Sequence, residues 1–111
     1  MTKSVFIALS ILILSFSSAD AAIYKGQKEF VKQCTKCHES GQTFVPKYKM
    51  KEWKKMMDKK GKPLADMHLA NLEAKKSWKY FSSSKYTKKS KDLKQFLMEY
   101  AKDSGNVPAC N

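Results

Sequence analysis

The chain has 111 residues with 22 lysines, no arginine and ten carboxylates, for a net charge of +12. That length allows a single domain, and the charge excludes a neutral globule and directs attention to acidic partners. Three cysteines are too few for a disulfide scaffold, and a hydrophobic content of 42% argues against wholesale disorder.

Residues 1–21 read as a cleaved secretory signal peptide. Lys3 opens it, residues 5–14 are apolar apart from Ser10, and Ala19-Asp20-Ala21 offers an A-x-A cleavage site. The apolar run is too short for a membrane anchor, which takes roughly 20 apolar residues. Cleavage deletes one Lys and one Asp and leaves the mature domain, residues 22–111, at +12. Export points to the periplasm, where nucleic acid is not the expected partner of a basic domain. The lack of Arg agrees, because Arg supplies most bidentate base and phosphate recognition.

Four segments of the mature chain show helical periodicity and none alternates as a strand, so the expected fold class is all-α. The first helix, from about Ile23, carries Gly26, Phe30 and Cys34 on one face at i, i+4 and i+8. A glycine inside a helix costs roughly 1 kcal/mol relative to Ala, so Gly26 predicts close approach by another element.

Next comes Cys34-Thr35-Lys36-Cys37-His38. C-x-x-C-H is the signal for covalent haem attachment. Thiols three positions apart can add to the two vinyl groups of one porphyrin, and a histidine beside the second thiol is held under the iron as an axial ligand. In this composition the string arises by chance about once in a thousand shuffles. Three other readings compete. A thioredoxin-like pair expects a βαβ context, a structural zinc site wants four ligands at finger-like spacing, and a Cys34–Cys37 disulfide leaves His38 unexplained.

Residues 42–49 contain Pro46 and no periodicity and read as a loop. Trp53, Met56 and Met57 then mark a Lys-rich second helix expected to end at Gly61. Pro63 opens a third, with Leu64, His68 and Leu72 on one stripe. Residues 82–91, rich in Ser and Lys, read as an exposed connector. The last helix is expected from an N-cap at Ser90, with Leu93, Phe96, Leu97, Tyr100 and Ala101 on its apolar face and a stop at Gly105 and Pro108. Cys110 lies in the tail, without an intrachain partner if haem takes Cys34 and Cys37. The expected state is a monomer, with Cys110 able to link two chains.

Two stretches, residues 26–30 leading into the C-x-x-C-H string and residues 92–97, resemble the small class I c-type cytochromes. The middle of the chain matches that family poorly. The resemblance implies a cytochrome c-like fold in which the N-terminal and C-terminal helices cross and the middle helices enclose one haem. Gly26 and Phe30 would then meet Leu93, Phe96 and Tyr100. It also implies covalent haem c on Cys34 and Cys37 and His38 as the proximal iron ligand.

The family usually supplies a distal Met shortly before the last helix, but this chain has none between Leu69 and Leu97. The candidates are Met50, Met56, Met57, Met67, Met98 and His68. Met98 lies off the apolar face, Met56 and Met57 read as core filler under Trp53, and Met50 falls close to His38 beside a Pro loop. Met67 and His68 diverge by about 100° on a helix, so only one faces the iron. His68 is favoured as the distal ligand, because it is the only other histidine and sits on an apolar stripe, with Met67 as the alternative.

The expected function is one-electron transfer between acidic redox proteins or respiratory complexes, with no bond made or broken. A ligand-binding or peroxidase-like haem protein is the rival, and a fixed subunit of a respiratory complex is a third possibility. The lysines supply a positive docking surface, and attraction to an anionic membrane surface is the simpler reading of the same charge.

Overall fold

The computed structural model describes residues 18–109. Most of the expected signal segment, residues 1–17, and Cys110 lie outside that range. Residues 18–21, up to the expected cleavage point, form the start of the first helix. Every regular element among the described residues is helical.

Helix α1 (Ser18–Glu29) runs into a π-helical turn, Phe30–Cys34. Helix α2 (Gly41–Phe44) leads into a 3₁₀ turn, Val45–Lys47. Helices α3 (Met50–Met56) and α4 (Asp58–Leu69) follow, then a 3₁₀ stretch, Leu72–Ser77, then α5 (Trp78–Phe81) and α6 (Ser84–Glu99). Among the described residues no helix is long and apolar enough to cross a membrane.

Helices α1 and α6 pack through Gly26. A Cβ there would overlap the backbone carbonyl of Asp92 and lie 2.7 Å from the Cβ of Phe96. One turn on, the rings of Phe30 and Phe96 sit 5.4 Å apart. Phe30, Val45, Trp53, Leu93, Phe96 and Leu97 form the center of the core, each 2% exposed or less. Burying a side chain of this size contributes about 1.5–3 kcal/mol.

Three expectations about the middle of the chain require correction. Residues 42–49 are mostly helical. The Ser40 carbonyl accepts from the N–H groups of Thr43 and Phe44, and Pro46 sits in the opening turn of the 3₁₀ segment, where its missing N–H costs nothing. Val45 is buried under Trp53, whose indole N–H donates to the Val45 carbonyl at 2.9 Å. This burial makes up for the weak local propensity of the segment.

The second correction concerns residues 82–91, of which 84–91 form the first half of α6. Its N-cap is Ser83, whose hydroxyl accepts from the N–H of Tyr86. Ser90, expected as the cap, is buried inside the helix and donates to the Thr87 carbonyl. The apolar stripe continues backwards from Leu93 through Ser90 to Tyr86. A serine and a tyrosine carry it, so it does not stand out among the lysines. Met98, expected off that face, is half-buried against the core.

Third, α3 ends at Met56, well before Gly61. Lys59, Lys60 and Gly61 adopt φ of 48°, 58° and 77°, a left-handed turn inside the α4 range, and Leu72 falls outside α4 and is 80% exposed. The left-handed region costs roughly 1–2 kcal/mol for each non-glycine residue, so tertiary contacts must hold this turn. Tyr86 supplies them: its hydroxyl donates to the Gly61 carbonyl at 2.6 Å in the buried interior, and a Cβ on Gly61 would overlap that hydroxyl. Tyr86→Phe leaves the buried carbonyl without this donor and is expected to lower stability by about 1–3 kcal/mol, measurable by urea denaturation.

Candidate cofactor crevice

The π-helical turn at the end of α1 carries Cys34 around to meet the residues that follow. The Cys34 carbonyl accepts from the N–H groups of Cys37 at 3.2 Å and His38 at 2.9 Å. This tight turn holds both thiols and the His38 ring on the wall of a crevice of about 390 Å³. That volume lies within the range of small-molecule and cofactor sites. Neither thiol is in a disulfide. Burial, the Glu29 carboxylate and Cys37 push the Cys34 thiol up to about 12, so it stays protonated near neutral pH.

Helix α4 delivers His68 to the same crevice. The two imidazole centroids are 6.1 Å apart, with planes at 87°. A metal–imidazole bond of about 2.0 Å puts a ring centroid about 3.2 Å from the ion, so two rings on opposite sides of one ion stand about 6.4 Å apart. The observed spacing fits a single ion between them.

The ring nitrogens of His68 are distinguished by its neighbor one turn back. Nδ1 lies 2.7 Å from the Leu64 carbonyl oxygen. A carbonyl can only accept, so Nδ1 donates; in a neutral ring held this way the lone pair is on Nε2, the arrangement that orients a metal-ligating histidine. The end of α4 is tied down by Trp78, whose indole N–H donates to the carbonyls of His68 at 2.8 Å and Asn71 at 3.2 Å. Burial, with help from His68 and Lys47, lowers the His38 pKa and favours the neutral, ligand-competent ring.

Each imidazole lies against a phenyl ring. His38 stacks on Phe44 at 4.3 Å and His68 on Phe81 at 4.1 Å. Tyr48, Trp53, Tyr80 and Leu97 add apolar wall. Tyr80 donates its hydroxyl to the buried Glu29 carboxylate at 2.8 Å, and burial together with that carboxylate pushes its pKa up.

The structure thus gathers Cys34, Cys37, His38 and His68 around one crevice. Met67 also lines it but is 57% exposed, and Met56 lines it from α3. Met57 is buried in the core instead, and Met50 is exposed at the start of α3, its N–H bonded to Asp103. Among the described residues no group of three or more His, Cys, Asp or Glu side chains could hold a metal ion.

Periodicity did not reveal Phe44, Phe81, Trp78 or Glu29. The first two stand in short helical turns with no stripe of their own, and Glu29 reads as an ordinary surface carboxylate. No protein-family model, curated protein or solved structure matches the chain.

Proposed function

We propose that the chain is an exported monohaem c-type cytochrome that carries one electron between acidic redox partners. The paired imidazoles carry this reading. His38 and His68 line one crevice with ring centroids 6.1 Å apart, near the separation that two imidazoles binding one iron would have, and the same crevice holds both thiols of the C-x-x-C-H string. Cys34 and Cys37 would hold the cofactor covalently through thioethers, with His38 proximal and His68 distal. When bound, haem c supplies an iron that cycles between ferrous and ferric states.

The residues of the chain do the rest. The Leu64 carbonyl and Trp78 fix His68, and the stacked Phe44 and Phe81 hold both rings in place. The packing of α1 on α6 through Gly26, with the middle helices around the crevice, accords with a cytochrome c-like arrangement. Were His38 and His68 both to bind the iron, no open position would remain for a substrate, which would suit a carrier better than a peroxidase-like enzyme. Bis-histidine ligation also sets a lower reduction potential than Met/His ligation would.

The reading is tested on protein purified from a periplasmic fraction. The expected result is a mass increased by one haem that survives acid–acetone extraction, and a low-spin ferric spectrum that ignores cyanide. Cys34→Ser with Cys37→Ser should abolish the covalent adduct. A native protein without haem overturns the reading, and a high-spin form that binds cyanide readily replaces the carrier with a ligand-binding haem protein.

A further inference from the structure

Away from the crevice, the left-handed turn of α4 and residues 87–94 of α6 line a second, shallow groove of about 450 Å³. Lys59 and Lys60 line it from the turn, and Lys88, Lys91 and Lys94 from α6, with no carboxylate among the lining residues. The ion pairs found among the described residues, Lys47–Glu39 and Lys62–Asp66, involve other lysines. The fold thus assembles five like charges here and holds two of them on positive-φ backbone.

We propose that this groove is the docking site for an acidic protein partner, which lays a row of carboxylates along α6. The purpose of such docking rests on the electron-carrier reading. The α6 lysines recur every three residues and span about 9 Å of helix, longer than one tetrahedral oxyanion can bridge. The groove is concave, so a protruding protein segment reaches its floor, whereas a flat layer of lipid headgroups meets only its rims.

Behind the turn, packed aromatic rings lead towards the crevice. Tyr86, bonded to Gly61 of the turn, meets Phe81 at 4.8 Å between centroids, and Phe81 stacks on His68 at 4.1 Å. Tyr86 itself is buried and does not line the groove. Five converging cations also steer an acidic surface towards this face, an effect that weakens with salt.

The test is a titration of ferrous, isotope-labelled holoprotein with hexaglutamate at low salt, followed by backbone amide shifts. Shifts should concentrate at residues 59–61 and 87–94. The triple variant Lys88→Ala, Lys91→Ala, Lys94→Ala should bind about tenfold more weakly, while Lys25→Ala, Lys28→Ala, Lys36→Ala changes affinity less than about twofold. Lys60→Asn, which removes a charge but tolerates the left-handed backbone, should also weaken binding. Shifts spread over the surface, or equal loss in the control variant, overturn the proposal. So do groove shifts with tripolyphosphate or phosphatidylglycerol vesicles but none with hexaglutamate, which would assign the site to small anions or a membrane. A protein without haem overturns the carrier reading and leaves the shift map standing; a haem-loaded protein whose map misses the groove overturns the docking site alone.

Discussion

Replacing His68 by alanine is expected to convert a low-spin ferric protein that ignores cyanide and, when reduced, carbon monoxide into a high-spin protein that binds both. His68 shares the crevice with His38 at 6.1 Å between ring centroids, with its Nδ1 engaged by the Leu64 carbonyl. Added imidazole should restore the low-spin spectrum of the variant, which a general loss of folding would not allow. His68→Met should raise the reduction potential by an amount on the order of 0.1 V, a fraction of the roughly 0.8 V that axial ligands span. A variant His68→Ala that stays low-spin, or a native ferric spectrum with a methionine-sulfur charge-transfer band, removes His68 from the iron and brings Met67 forward.

The second large effect belongs to Gly26. Gly26→Ala gains about 1 kcal/mol of helix propensity, yet its Cβ would collide with the Asp92 carbonyl and crowd Phe96. The obstacle is the backbone of α6, which cannot swing aside like a flexible side chain, so the two helices must separate. Overpacking of this kind costs about 1–3 kcal/mol and occasionally more. A net loss of about 2 kcal/mol would lower the melting temperature by roughly 10 °C in a domain of this size. Gly26→Val, larger and β-branched, should lose more. An unchanged melting temperature for Gly26→Ala would mean that α1 and α6 do not meet at this point.

The two expectations differ in how they could be reached from the sequence. Gly26 announced itself as a costly residue on an apolar helix face, while its meeting with the helix of Leu93, Phe96 and Tyr100 was implied by the family resemblance. His68 was legible as the only other histidine, though its stripe was not drawn correctly, since Leu72 points to solvent. The helical course of residues 82–91 was hidden because Tyr86 and Ser90 occupy the buried positions in a run otherwise full of lysine. The left-handed turn at residues 59–61 was equally hidden, because nothing local favors two lysines with positive φ.

The sequence by itself determined the helical class of the chain, the Cys34, Cys37 and His38 string, the excess of lysine and the need for close approach at Gly26. Each is a local pattern, fixed by residue type and spacing. Only the tertiary structure decided which distant group faces His38, which phenyl rings hold the two imidazoles, and where five of the lysines converge. Those juxtapositions depend on where α2, α4 and α5 come to rest against α6, and that is set by burial of Val45, Trp53 and Tyr86 rather than by any local preference.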